Sequence, residues 1–155
     1  GAVCDWKRAA DIALRCFAIG VFWGVGTVYT LLFNGIAIGA IAGYVVGRGN
    51  EERFLSFVVS HGSFELTAIA IAGAAGLMLG NALLHPGNRG RMEALRVRAL
   101  DAVQVVGGAA AMLVVAAFIE AFWSPAPIPA VFKYVVATGL WLAVFAYLAF
   151  SGRGR

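Results

Sequence analysis

The chain has 155 residues, of which 61% are hydrophobic and 13% are charged, and its mean hydropathy is +0.85. A soluble domain of this length does not reach these values, so the composition excludes that class and predicts an integral membrane protein. The net charge of +4 is spread over loops, where it orients membrane spans, and it gives no support for nucleic-acid binding.

The apolar stretches predict an all-α, polytopic membrane helix bundle with about five membrane segments, forming one transmembrane domain over residues 1–155. The first span is predicted from about Ile12 to Phe33, and it ends at Asn34-Gly35, a turn or helix-break signal. The stretch from Gly35 to Gly47 extends only ~20 Å as a helix, less than the ~30 Å hydrocarbon core. It is therefore predicted to be a short or re-entrant piece.

The middle of the chain is predicted to be irregular before it becomes a long span. Arg48 to Arg53 is a polar break, and Phe54 to Ser60 is an apolar stub too short to cross a bilayer. A span follows from His61 to Leu84 and ends at His85-Pro86-Gly87, a strong helix stop. The remaining predicted spans, joined by a Pro-rich turn, are Leu100 to Trp123 and Ala130 to Phe150.

Small residues recur at helical spacing in two of these segments. The two rows are Gly35, Gly39, Gly43 and Gly47 in the short piece, and Gly76 with Gly80 in the span that follows. Such rows allow helix backbones to approach closely, which matters because lipid provides no hydrophobic force for helix association. We predict that the rows pack between helices of one bundle, with homodimerisation as the alternative.

Ionisable residues within the predicted spans are the candidate functional residues. Placing a charge in the hydrocarbon costs ~2.5 to 3.5 kcal/mol on insertion scales, so Glu65, one helical turn after His61, must face protein or water. Glu120 precedes the Pro-rich turn and Lys133 follows it, so the two either pair across the turn or Lys133 extends to the headgroups. We predict one buried polar cluster of His61 and Glu65 with Glu120.

The broken stretch before His61 predicts a second feature. Discontinuous helices often carry binding sites, so Asn34 and the His61 end of the next helix are expected to approach one pocket. A purely structural kink is the alternative.

The sequence gives little support for a metal site or for catalysis. Cys4 and Cys16 form no CxxC or Cys/His ligand pattern, so no disulfide framework, zinc site or other cofactor is expected. The HExxH and GxSxG motifs are absent, and no catalytic residues are assigned. The sequence favours a protein that is not an enzyme, without excluding one.

The distribution of Lys and Arg leaves the orientation open. If Ile12 to Gly47 forms a two-helix hairpin, one side holds Lys7, Arg8, Arg15, Arg48, Arg53 and Lys133, and the other holds Arg89, Arg91, Arg96, Arg98, Arg153 and Arg155. This division is six against six. If the same stretch crosses only once, the division is nine against three, with both termini inside.

Several motifs follow one another in a characteristic order. They are LLFNG at Leu31 to Gly35, HGSFELTAIAIAGAAGLMLG at His61 to Gly80, Pro86-Gly87, IEAF at Ile119 to Phe122, and a Pro-rich turn followed by Lys133. Together they resemble the membrane domain of the stage II sporulation protein M family over nearly the whole chain. The HGxxEL block at His61 is the specific part.

The resemblance implies a bacterial or archaeal multispanning protein. The family member in sporulating bacteria helps to localise peptidoglycan-degrading enzymes during engulfment, and many relatives belong to organisms that never sporulate. Members commonly carry an additional N-terminal region, and such a region would lie outside this sequence.

Three functions follow. The leading hypothesis is a non-catalytic membrane scaffold or assembly factor for an envelope complex in the cytoplasmic membrane, with envelope or peptidoglycan-remodelling proteins as partners. A transporter or channel-like protein would instead use His61, Glu65 and Glu120 as a proton or cation relay. An intramembrane enzyme or metal site would use His61 and Glu65 as acid and base or as ligands.

Overall fold

The computed structural model describes residues 2–20 and 25–151. These residues form five α-helices and a π-helical turn, in chain order α1 (Ala2–Gly20), α2 (Val25–Val46), α3 (Glu51–Leu84), α4 (Arg91–Phe118), the π-turn (Ile119–Trp123) and α5 (Ala130–Phe150). Within the described residues, four stretches are long and apolar enough to cross a membrane, namely α2, α3, α4 with its π-turn, and α5. The prediction of an all-α membrane helix bundle is confirmed.

Helix α3 forms the centre of the bundle and packs against α1, α2, α4, α5 and the π-turn. In its most apolar window 56% of the residues are buried, compared with 11% in α2. Its buried face consists largely of small residues, with Ala68, Ala72 and Ala75 fully buried and Gly76 and Gly80 also buried. These residues let neighbouring helices approach the α3 backbone closely.

The tightest packing joins α3 to α4 and α1. Ala13 of α1 lies in one cluster with Ala68 and Ala72 of α3 and with Ala109 and Leu113 of α4. A second cluster is formed by Ala75, Leu79 and Ala102. The contact between the antiparallel helices α3 and α4 therefore contains two apolar clusters at different heights.

The turn between α3 and α4 follows the predicted helix stop. Helix α3 ends at Leu84, and Gly87 has a positive φ of 64°, a conformation that glycine adopts without a Cβ clash. The predicted stop at residues 85–87 is confirmed.

The predicted break at Asn34-Gly35 is wrong, because α2 continues through it to Val46. The Asn34 side-chain amide donates a hydrogen bond to the Thr30 carbonyl oxygen at 2.8 Å, so it is satisfied within the helix. Gly35 does not have a positive φ. The 22 residues of α2 extend ~33 Å, enough to cross the hydrocarbon core, and residues 35–46 are not a short or re-entrant piece.

The apolar stub from Phe54 to Ser60 is also not a separate element. It forms the first part of α3, because no helix-breaking residue separates it from His61, and the irregular backbone is confined to a short turn at residues 47–50. Gly49 supports this turn with a φ of 74°. The 34 residues of α3 extend ~51 Å, so this helix is longer than the ~30 Å hydrocarbon core.

The first predicted span is divided between two helices. Helix α1 ends at Gly20 and α2 begins at Val25, and the connection at residues 21–24 lies outside the described part of the chain. Helix α1 is amphipathic, and its exposed face carries an ion pair between Arg15 Nε and Asp11 Oδ2 at 2.9 Å. Two helices therefore precede the turn at Gly49, as a hairpin requires. The boundary between them lies before Val25 and not at the predicted Asn34-Gly35. Arg153 and Arg155 of the charge count lie outside the described residues.

Candidate functional site

The π-turn at the end of α4 carries a deeply buried carboxyl group. The Ser124 amide donates to the Ile119 carbonyl oxygen at 2.9 Å, five residues back, which is the π-helical pattern. Glu120 lies within this turn and is only 1% exposed. Single π-helical turns occur frequently at functional sites, so the π-turn makes this region a candidate functional site.

Ser124 connects three elements of the bundle. Its hydroxyl oxygen lies 3.1 Å from His61 Nδ1 of α3, and its carbonyl oxygen accepts a hydrogen bond from Lys133 Nζ of α5 at 2.7 Å. His61, Lys133 and Ser124 are all buried. The last carbonyls of a helix lack partners within the helix, and the chain turns away at Pro125, so Lys133 satisfies an acceptor that would otherwise be buried alone.

The segment of α3 around His61 is polar and buried. The Ser63 hydroxyl donates to the Ser60 carbonyl oxygen at 3.0 Å, and the Thr67 hydroxyl donates to the Ser63 carbonyl oxygen at 2.6 Å. The ring of Phe57 stands edge-on to His61, with centroids 5.4 Å apart. Since these two hydroxyls bond the backbone of their own helix, their burial needs no donor or acceptor from a neighbouring helix.

The predicted ionisable residues occupy different environments. His61 and Glu120 are buried, whereas Glu65, one turn after His61, is half-buried on α3. Lys133 is only 7% exposed, and its Nζ donates a hydrogen bond to the Ser124 carbonyl oxygen. The described hydrogen bonds thus connect His61 to Lys133 through Ser124.

Asn34 does not belong to this end of the bundle. A cavity of about 610 Å³ opens beside Ser124 and Lys133, but α2 contributes its last turn to the lining, at Tyr44, Val45 and the following Arg48. The predicted pocket shared by Asn34 and His61 depended on a broken helix, and the continuous α2 removes its basis.

The two glycine rows differ sharply. Gly76 and Gly80 are buried in α3. Gly35, Gly39 and Gly43 are exposed, and no described atom outside their own helix lies within 4 Å of the position where a Cβ would stand. At Gly47 the nearest atoms are the carbonyl oxygens of Gly43 and Tyr44. The described part of the chain therefore places no second helix against the α2 row.

Ser124 and the π-turn were not among the features predicted from the sequence. A hydroxyl residue directly before proline, at the end of an apolar helix that contains a carboxyl group, is a signal that could have identified Ser124. The π-turn has no comparable signal, because the apolar run from Met112 to Trp123 fits an ordinary helix equally well.

The site combines an imidazole, a carboxyl, an ammonium and a hydroxyl group. These groups can exchange protons or bond helices to one another. Among the described residues, no group of three or more His, Cys, Asp or Glu side chains is placed to hold a metal ion.

The sequence model of the family Stage II sporulation protein M (SpoIIM) matches residues 6–125, which is 120 of the 155 residues. The chain belongs to the stage II sporulation protein M family. The resemblance inferred from the motifs is thereby confirmed, and this SpoIIM family member is a multi-pass membrane protein. The matched range includes Glu120 and Ser124 and ends before Lys133. Neither a curated protein nor a solved structure matches the chain significantly.

Proposed function

We propose that this SpoIIM family member is a non-catalytic scaffold or assembly factor for an envelope complex in the cytoplasmic membrane of a prokaryote. The observation that carries the proposal is the outward face of α2, an apolar helix of which only 11% of the most apolar window is buried.

The glycine row gives this face a specific property. Gly35, Gly39 and Gly43 lie along it without described neighbours, and large apolar side chains such as Ile36 at 72% exposure flank them. Glycine rows are enriched where transmembrane helices contact one another, and a face meeting only lipid does not need them. We therefore expect a partner helix here, from an envelope or peptidoglycan-remodelling protein, with a second copy of this chain as the alternative.

The polar cluster supports the same function in a different way. The contacts of Ser124 with His61 and Lys133 bond α3 to α5 inside the bundle. Buried and satisfied polar contacts of this kind fix the relative positions of helices. A rigid frame around α3 can then present α2 to a partner.

The test is affinity purification of the tagged full-length protein from native membranes in mild detergent. Gly39→Leu fills the α2 row, and Gly139→Leu on α5 is the matched control, because both glycines are exposed with no described neighbour within 4 Å. We expect the wild-type protein and Gly139→Leu to retain an envelope hydrolase or other envelope protein, and Gly39→Leu to lose it. Equal retention by both variants would contradict the proposal, and retention of a second copy alone would identify a homodimer.

A proton or cation relay is the second candidate, favoured by the burial of Glu120 in a π-turn of a membrane-length helix. The protein would be reconstituted in liposomes containing a pH-sensitive dye, and Glu120→Gln compared with Glu93→Gln, a change at an exposed carboxylate of α4. Proton flux that only Glu120→Gln abolishes would favour the relay. Flux no faster than in empty liposomes would exclude proton transport.

A further inference from the structure

One cavity brings together three basic side chains at the end of the bundle. It has a volume of about 610 Å³ and lies where α2 ends, α3 begins and α4 turns into α5. Arg48, Arg53 and Lys133 line it, and none of its lining residues is acidic. Three cationic side chains without a carboxylate in the lining favour the binding of an anion.

The two arginines are available to a ligand. Both are exposed, and the described residues include no salt bridge to either of them. The Arg48 guanidinium lies 4.9 Å from the centroid of the Tyr44 ring, a cation–π contact that positions the group and leaves its N–H donors usable. Glu51 and Glu52 are close in sequence but do not line the cavity.

Lys133 and the start of α3 contribute further donors at the base of the cavity. An ammonium group has three N–H donors, and the contact with the Ser124 carbonyl oxygen uses one of them. Asn50, the N-cap of α3, also lines the cavity, and its side chain makes no capping hydrogen bond to the helix. The amide N–H groups of the first helical turn carry partial positive charge and favour an anion nearby.

The position of the cavity fits the headgroup level of a membrane. It lies at one end of four membrane-length helices, where aromatic residues such as Tyr44 and Trp123 are also found. Aromatic and basic side chains are typical of the headgroup level, and basic pockets between transmembrane helices bind anionic headgroups.

We propose that this cavity binds a phosphate-bearing anion, with Arg48 and Arg53 as the entry ligands and Lys133 at the base. The phosphate belongs either to an anionic phospholipid headgroup or to a small soluble phosphate compound. This binding is independent of the scaffold function, because it involves the helix ends and does not involve the α2 glycine row.

The test measures binding to the purified full-length protein in a phosphate-free, zwitterionic detergent by native mass spectrometry. The probes are phosphatidylglycerol, phosphatidylcholine and inorganic phosphate. Arg48→Gln with Arg53→Gln removes two cavity charges. Arg89→Gln with Arg91→Gln removes two exposed charges beside the α3–α4 turn, where no described ion pair is lost. The melting temperature of each variant shows that it remains folded.

We expect phosphatidylglycerol to bind the wild-type protein more tightly than phosphatidylcholine, and the Arg48/Arg53 variant to lose about tenfold in affinity while the Arg89/Arg91 variant loses little. Binding of phosphatidylglycerol but not inorganic phosphate identifies a lipid headgroup, and equal binding of inorganic phosphate identifies a soluble source. Binding of neither anion, or an equal loss in the two variants, would overturn the proposal.

Discussion

Helices α2 and α3 are neighbours of similar apolar character with opposite positions in the bundle. Both contain rows of small residues, but α3 is packed on by every other helix, whereas α2 leaves Gly35, Gly39 and Gly43 uncovered. The spacing of small residues therefore predicts a face suited to close contact, and it does not predict whether the contacting helix belongs to the same chain.

Polar residues distinguish the two helices better. The part of α3 with the serines and His61 is buried, and α2 is buried at Thr27 and Thr30 in its first half, where Thr27 and Leu31 approach Gly73 of α3. The second half of α2 has no polar side chain between Gly35 and Tyr44, and it is mostly exposed. Because a polar group costs free energy in lipid, its position marks the part of a helix that protein covers.

The largest expected effect is a difference in stability between substitutions at Gly73 of α3 and Gly39 of α2. Gly73→Leu places a branched side chain where a Cβ alone would already lie 3.0 Å from Leu31 Cδ1 and 3.4 Å from Thr27 Cγ2. We expect a loss of about 3 kcal/mol of stability, at the upper end of the usual cost of overpacking. Gly39→Leu adds a side chain in open space and should cost less than about 0.5 kcal/mol in the purified chain. Thermal unfolding in detergent measures both, and equal losses would show that Gly39 of α2 is packed as closely as Gly73 of α3.

An intermediate effect is expected at Ser124. Ser124→Ala removes the hydroxyl group beside His61 Nδ1 and leaves a buried ring nitrogen without this contact, at a cost of about 1 to 2 kcal/mol. Ser151→Ala is the control, since that hydroxyl is exposed and bonds the Tyr147 carbonyl of its own helix. If the melting temperatures of the two variants fall equally, the His61 contact does not stabilise the bundle.

The smallest effect should have the opposite sign. Gly39→Ala and Gly43→Ala add only a methyl group in open space, and reducing the freedom of the unfolded chain should raise stability by about 0.5 kcal/mol at each position. The measurement is the melting temperature at low protein concentration, where a second copy is dissociated. A decrease there would mean that the row is packed within a single chain.

The sequence predicted the turns that depend on backbone conformation and failed where a side chain decided the outcome. Gly87 adopts a positive φ in the turn that Pro86 and Gly87 predicted. At Asn34-Gly35 the same kind of signal misled, because the Asn34 amide found an acceptor four residues earlier in the helix. With a break predicted at this pair, the stretch after it was too short to cross the bilayer. The 22-residue helix α2 is long enough only because Asn34 and Gly35 are helical.

The sequence predicted the ionisable residues that form the candidate site, but not the hydrogen bonds that connect them. His61, Glu120 and Lys133 were identified because ionisable groups are costly in lipid. The connection through Ser124 depends on the helix geometry near residue 120 and on the direction in which Pro125 leads the chain. Neither is encoded in the spacing of apolar residues.

The π-turn has a consequence for changes in chain length. In an ordinary α-helix the amide bonded to the Ile119 carbonyl would be that of Trp123, and Ser124 would lie about 100° further around the axis. The π-turn accommodates one more residue and keeps Ser124 above Ile119. We therefore expect that deleting one residue between Ile119 and Ser124 would convert the π-turn to a regular helix and keep the serine against the imidazole, without rotating the last span.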